Sequence, residues 1–409
     1  MKKHYKNFAA GVLGNILDRY DIALYGLMAT FIAPVYFPGQ DPLVSTIKAY
    51  GVMALGMFTR PIGALIFGQM AMVFGPKRVL VIALFGVAIS TGLLGMVPSY
   101  EQIGPSATFF FICIRVMQGV FATGEHVVAP FFIIQTSPIK NYTRSSTIFT
   151  FSTMLGVVMA SIASAIVSST SDPSYYWRYP YFAGSITAFA GLYLRISAIK
   201  ELEETYPKIH IGEILSLVNK NKLILLRIAL VASFSYVTYV IPFVFMNSFV
   251  PYVTNVNISE MLHLNSFLLV LDTALIPIFG FIAEKYDRKK FMASMSFLTA
   301  ILVLPLFYFM KDSSFEYIMF VRIVIIFTGL AYLAPLHAWY YSLFKKSDKY
   351  LLVGIGCSLG DELLGKNSTT ICLFLWHYFH SPIAPALYIF AISILATCAL
   401  LFMPEPSKT

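Results

Sequence analysis

The chain has 409 residues, 58% of them hydrophobic and only 12% charged, with a net charge of +9 and a mean hydropathy of +0.74. Soluble domains carry about 25% charged residues, so a soluble enzyme is excluded. Cys113, Cys357, Cys372 and Cys398 all lie in apolar stretches and form no CxxC pair, which excludes a secreted disulfide scaffold and leaves them as small hydrophobes.

A helix needs about 20 apolar residues to cross a bilayer, and turn signals, charges and prolines divide the chain into twelve such stretches. They fall at residues 8–35, 46–74, 79–97, 107–135, 145–168 and 179–199, then at 223–250, 262–283, 291–310, 315–344, 351–379 and 385–403. The first stretch is expected to be retained: Asp18, Arg19 and Asp21 interrupt the apolar run that a cleavable leader requires. The division predicts two bundles, 1–199 and 223–409, joined by a charged segment at 200–222. That segment is too short to fold alone, but Leu202, Ile209, Ile211, Ile214, Leu215 and Val218 offer an apolar face for a surface helix.

Orientation follows from Lys and Arg, which short loops retain in the cytoplasm. Twenty-one of these bases fall on one side, from Lys2, Lys3 and Lys6 through Arg144 and Arg195 to Lys408, against three, Lys48, Arg178 and Lys311, on the other. Both termini are therefore expected in the cytoplasm. The positive net charge follows from this topology and calls for no nucleic-acid partner.

The halves repeat one another. Phe67-Gly68-Gln69-Met70-Ala71 leads into a loop with Gly75, Lys77 and Arg78, and Phe279-Gly280-Phe281-Ile282-Ala283 leads into Glu284, Lys285, Asp287, Arg288 and Lys289. Arg115 near the start of the fourth span matches Arg322 near the start of the tenth, and Pro130 matches Pro335. Parallel six-span repeats are one way in which large transporters are built.

Four motifs in order resemble the major facilitator superfamily and, within it, the metabolite:proton symporters, which include proline/betaine, shikimate, 2-oxoglutarate and citrate carriers. Gly14-Asn15-Ile16-Leu17-Asp18-Arg19-Tyr20-Asp21 with Tyr25-Gly26 resembles GNxxEWYDFxxYG. Arg60-Pro61-Ile62-Gly63-Ala64-Leu65-Ile66-Phe67-Gly68 resembles RPxGxxxFG. Arg115-Val116-Met117-Gln118-Gly119 with Gly124-Glu125 resembles RxxQG and its GGE sequel. Trp177-Arg178-Tyr179-Pro180-Tyr181-Phe182 with Leu192-Tyr193-Leu194-Arg195 resembles WRxPF and GLYxR. The departures are Met72, Val73 and Pro76 in the loop after the second span, and Asp18 for Glu and Arg19 for Trp in the first. The resemblance implies an all-α membrane protein of twelve helices in two pseudo-symmetric bundles. It also implies proton-driven uptake by alternating access, with the proton gradient and no cofactor as energy source, in a bacterial inner membrane. The substrate it implies is a small zwitterion of the proline or betaine kind, or an organic acid.

An ionised side chain at bilayer depth costs a few kcal/mol, so each marks a candidate site. In the first span Gly11, Gly14, Asp18, Asp21 and Tyr25 recur at helical spacing and share one stripe, expected to face the cavity between the halves or a packing seam. In the fourth, Arg115, Gln118, Ala122, Glu125 and His126 lie within about 100° of one another, with Arg115 and Glu125 about 15 Å apart along the axis. Those two cannot pair directly. Arg115 suits a substrate carboxylate, to which it can bind bidentately, or a carboxylate of the first span. Asp18, Asp21 and Glu125 are candidate proton carriers, and His126 is either a fourth or a helix contact. The eleventh span carries Asp361 and Glu362, with Glu362 and Lys366 spaced for an i,i+4 ion pair. Asp272 stands alone in the eighth.

Arg60, Lys77 and Arg78 in one half, and Glu284, Lys285 and Arg288 in the other, are positioned for loop pairs that form in one conformation and release in another. No Walker loop, HExxH, metal cluster or nucleophile triad appears, so the expectation is not an enzyme. Two alternatives to uptake remain: a proton-coupled exporter of a drug, siderophore or metabolite, and a non-transporting sensor or scaffold.

Overall fold

The computed structural model describes residues 2–39, 42–198, 211–256, 258–344 and 348–403, and among them there is no strand. The first six long helices are Lys2–Tyr36, Pro42–Phe74, Pro76–Met96, Pro105–Thr136, Tyr142–Ser168 and Arg178–Ala198. The seventh runs from Lys222–Val240 through a π-turn at Ile241–Phe245 into Met246–Val253. Ile258–Ala283, Arg288–Tyr308 and Phe315–Leu343 are the eighth to tenth. The eleventh runs from Asp348–Leu359 through a second π-turn, Gly360–Gly365, to Ser368–Phe379, and Ile383–Leu401 is the twelfth. Eight helices among the described residues are long and apolar enough to cross a membrane by length and composition. The first, interrupted by Asp18, Arg19 and Asp21, is not one of them. Between the sixth and seventh, Ile211–Lys220 is helical. Leu202 and Ile209 lie outside the described residues.

Contacts divide the chain into Met1–Lys140 with Phe151–His210, and Asn141–Thr150 with Ile211–Thr409. Asn141–Thr150, which includes the first residues of the fifth helix, groups with the second unit.

In the first unit the third helix packs on the fourth and sixth, and the first on the second, fourth and sixth. Pro76, which departs from the motif, is the N1 residue of the third helix, where its missing N–H costs nothing. Gly75 before it takes φ 83°, a conformation that favours glycine. The end of the unit near Tyr36 is aromatic. Tyr36 stacks on Phe111 at 4.3 Å and meets Trp177 edge-on at 5.9 Å, and Trp177 meets Tyr181 at 5.4 Å. Tyr36 donates to Val97 O at 2.7 Å and Tyr25 to Ala49 O at 2.6 Å, so these two buried tyrosines keep their hydroxyls bonded. The fifth helix reaches the first at Gly156, where an added Cβ would collide with Ile16 O. Asn15 Nδ2 bonds Ser152 Oγ at 2.7 Å and Thr153 Oγ1 at 3.0 Å. A small residue and a polar side chain thus hold the pair, as membrane helices require where lipid supplies no hydrophobic drive.

In the second unit the ninth helix packs on the tenth and twelfth, the seventh on the eleventh and twelfth, and the eighth on the tenth. The turn in the eleventh helix is closed by Lys366 N to Asp361 O at 2.8 Å, one residue longer than an α-turn. Asp287 caps the ninth helix by accepting from Lys290 N at 2.9 Å.

Candidate functional site

Gly11, Gly14, Asp18, Asp21 and Tyr25 of the first helix are all buried. Along this stripe the first unit arranges three polar layers.

The layer nearest Tyr36 joins three helices. Arg115 Nη1 donates to Gln118 Oε1, Gln118 Nε2 donates to Asp21 Oδ2 and to Thr91 Oγ1 at 2.9 Å, and Thr91 Oγ1 donates to Asp21 Oδ1 at 2.7 Å. The Arg115 guanidinium also lies 3.9 Å from the Tyr25 ring centroid, within cation–π range. Arg115 thus acts on the first-helix carboxylate through an amide. Both Asp21 oxygens accept a bond.

The middle layer holds Asp18, which is fully buried. Among the described residues no hydrogen-bond donor reaches either of its oxygens, and the nearest charge is Arg19 Nε at 3.7 Å. Arg19 spends Nη2 on His126 Nδ1 at 2.9 Å. A guanidinium can only donate, so Nδ1 is the acceptor and the imidazole is neutral. An ionised Asp18 therefore faces the Arg19 charge at 3.7 Å but accepts no hydrogen bond from the described residues. A proton, or a cationic group on a ligand, would serve it more fully.

The third layer corrects the positive-inside tally: Arg195, counted there among the loop bases, is fully buried. Its Nη1 and Nη2 donate to Glu125 Oε1 and Oε2, the latter at 3.1 Å. Nη1 also reaches Leu80 O at 2.9 Å and Nε reaches Ala10 O at 3.3 Å. Gly14 makes room for it, since a Cβ there would overlap Arg195 Nη2. Glu125 is clamped by a bidentate pair whose cation ties three further helices together.

In the second unit Glu362 and Lys366 form the i,i+4 pair at 2.5 Å, with Lys366 5.6 Å from the Tyr236 ring centroid. Asp361 and Asp272 are buried. Arg322 is fully buried and donates from Nη2 to Asn265 Oδ1.

Of the predicted loop residues, Glu284 pairs with Arg144 at 2.5 Å. Arg288 Nε donates to Thr143 Oγ1 at 3.1 Å. Lys285 and Arg78 are exposed, and Arg60 and Lys77 are half-buried.

Reasoning from sequence missed Thr91, Arg195 and Asn265 as partners. Arg195 carried a signal, its place in the Leu192-Tyr193-Leu194-Arg195 motif. Thr91 and Asn265 carried none, being small neutral residues in largely apolar stretches.

Residues 6–198 match the family described as sugar (and other) transporter. The glycine betaine/proline/ectoine/pipecolic acid transporter OusA of Dickeya dadantii is 23% identical over 429 residues, spanning 98% of this chain and 84% of that protein. The proline/betaine transporter of Escherichia coli K12 is 26% identical over 351 residues, spanning 80% of this chain and 68% of that protein. Among solved structures, the major facilitator proton:xylose symporter XylE bound to 6-bromo-6-deoxy-D-glucose superimposes with TM-score 0.76 at 14% identity, covering 98% and 96% of the two chains. FucP, in an outward conformation, gives 0.75 at 12% identity, covering 98% and 100%.

Proposed function

We propose that the chain is a multi-pass membrane transporter of the major facilitator superfamily that takes up a small zwitterion of the proline or betaine kind together with a proton. The relatives named above as proline and betaine transporters support the substrate class. The bias of Lys and Arg supports cytoplasmic termini, and leaving Arg195 out of the tally does not alter its sign; the bacterial relatives support a bacterial inner membrane.

The observation that carries the coupling is the contrast among the three acids proposed as carriers. Asp21 accepts from Thr91 and Gln118, and Glu125 is held by Arg195. Asp18 is fully buried and accepts from no described residue. A carrier must gain and lose its proton as access alternates, and a carboxylate held by fixed donors is the poorer candidate. Asp18 is the proton carrier. Asp21, Gln118, Arg115 and Tyr25 form the adjoining network that senses substrate, and His126 positions Arg19. Glu125 is reassigned from carrier to structural clamp. Asp361 and Glu362 stay candidate substrate contacts in the second unit. Glu284, Lys285 and Arg288, with Arg60, Lys77 and Arg78, act at the loops.

Purified protein in liposomes with an inside-alkaline gradient tests this with labelled glycine betaine, proline and a panel of mono-, di- and tricarboxylates. Zwitterions are expected to accumulate, and a protonophore to abolish the accumulation. Accumulation of carboxylates alone, or accumulation indifferent to the gradient, contradicts the proposal.

A further inference from the structure

Arg195 and Arg322, both fully buried, are treated in opposite ways. Arg195 meets a carboxylate and two backbone carbonyls. Arg322, near the start of the tenth helix, meets one neutral amide oxygen, Asn265 Oδ1 of the eighth. Its Nε and Nη1 have no acceptor among the described residues, and no carboxylate there pairs with it. A guanidinium carries five N–H donors and cannot shed its charge, so Arg322 is a permanent buried cation with most of its donors unspent. Such groups in native proteins call for an explanation, and an absent ligand is one.

We infer that Arg322 and Asn265 form a carboxylate-binding site in the second unit, which takes the anionic end of the substrate. This deepens the zwitterion reading and rests on it. A carboxylate accepts two guanidinium N–H groups at once and so supplies the missing acceptors together with the missing charge. One guanidinium beside a neutral amide balances a single negative charge, which fits a monocarboxylate better than a di- or tricarboxylate. Because a guanidinium only donates, Asn265 presents Oδ1 to it, and Nδ2 of this half-buried side chain remains a further donor for the same anion. Arg115, the pseudo-symmetric counterpart, is less suited to holding that anion, being committed to Gln118 and to the Tyr25 ring.

The test is calorimetric binding to the purified full-length protein, comparing glycine betaine with choline and proline with prolinamide, pairs that differ in the carboxylate. The wild type is expected to prefer the carboxylate-bearing member. In Arg322→Gln that preference falls by about 10- to 100-fold, the range of a charge-assisted bond in a buried site, while choline and prolinamide bind as before. Arg322→Lys keeps the charge without the fork and is expected to fall between the two. Ligand-free thermal stability of Arg322→Gln is expected to hold or rise, since the change removes an uncompensated buried charge. A preference that survives in folded Arg322→Gln overturns the inference, as does a ligand-free protein destabilised by Arg322→Gln and Arg322→Lys alike. If the wild type binds no zwitterion but binds acetate or propionate through Arg322, the substrate class fails and the carboxylate site stands. If glycine betaine is transported and its preference over choline survives Arg322→Gln, the substrate class stands and the site fails. A wild type that binds no carboxylate overturns it as well.

Discussion

Two layers of the first unit, one turn of the first helix apart, bury an acid each and treat it differently. Around Gly14, Glu125 receives a bidentate guanidinium that also holds carbonyls of the first and third helices. Around Asp18 no described donor approaches, although Arg19 is adjacent in sequence and within 3.7 Å. Arg19 turns instead to His126. On the proposed reading, burial alone does not separate a structural charge from a working one, and the completeness of its hydrogen bonding does: a fully satisfied pair resists change, whereas a carboxylate without donors gains from any proton or cation that reaches it.

Substitutions can break or sharpen this contrast. The largest effect is expected from Asp18→Asn, which mimics the protonated carboxyl: gradient-driven accumulation in liposomes is lost, while the thermal midpoint in detergent stays at or above the wild-type value. Next is Arg195→Met, which leaves Glu125 buried and unpaired. A loss of about 3–5 kcal/mol should appear as a lower thermal midpoint, and Glu125→Gln on the same background should restore part of it, because the orphaned charge is then gone. If Arg195→Met is as stable as the wild type, the clamp is not structural. Gly14→Ala comes third, since its Cβ would meet an Arg195 held in place by its bonds to Glu125, Leu80 O and Ala10 O. A cost of about 1–3 kcal/mol is expected in the same thermal assay, and Arg195→Lys, with a slimmer head group, should lessen it. The smallest effect is that of Glu284→Gln at the half-exposed pair with Arg144, worth about 0.2–1 kcal/mol. Its influence should show instead in uptake rate, as a change of a few-fold.

Legibility in the sequence followed range. The stripe of Gly11, Gly14, Asp18, Asp21 and Tyr25 could be read because helical spacing alone puts those residues on one face. The Glu362–Lys366 pair could be read for the same reason, being local at i,i+4. The twelve helical segments followed from the length of the apolar runs. Arg195 lies inside the sixth predicted stretch but near its end, so it was counted with the cytoplasmic-side bases, and nothing local says that Gly14, far away in sequence, has left a slot for it. Asn265 was invisible beside Arg322 for a similar reason, fifty-seven residues apart and neutral. The π-turns in the seventh and eleventh helices leave the hydrophobic pattern almost unchanged, since each adds one residue to a turn. Pro76 looked like damage to a loop motif and is a helix start.

The central claim is that Asp18 carries the proton while the rest of the site binds substrate without it. The direct measurement is substrate counterflow set beside gradient-driven accumulation, for wild type and Asp18→Asn in the same liposomes with labelled glycine betaine. Exchange of internal for external substrate needs no net proton movement. The account predicts that Asp18→Asn retains counterflow and loses accumulation. Retained accumulation in Asp18→Asn, or loss of counterflow and substrate binding together, would contradict it.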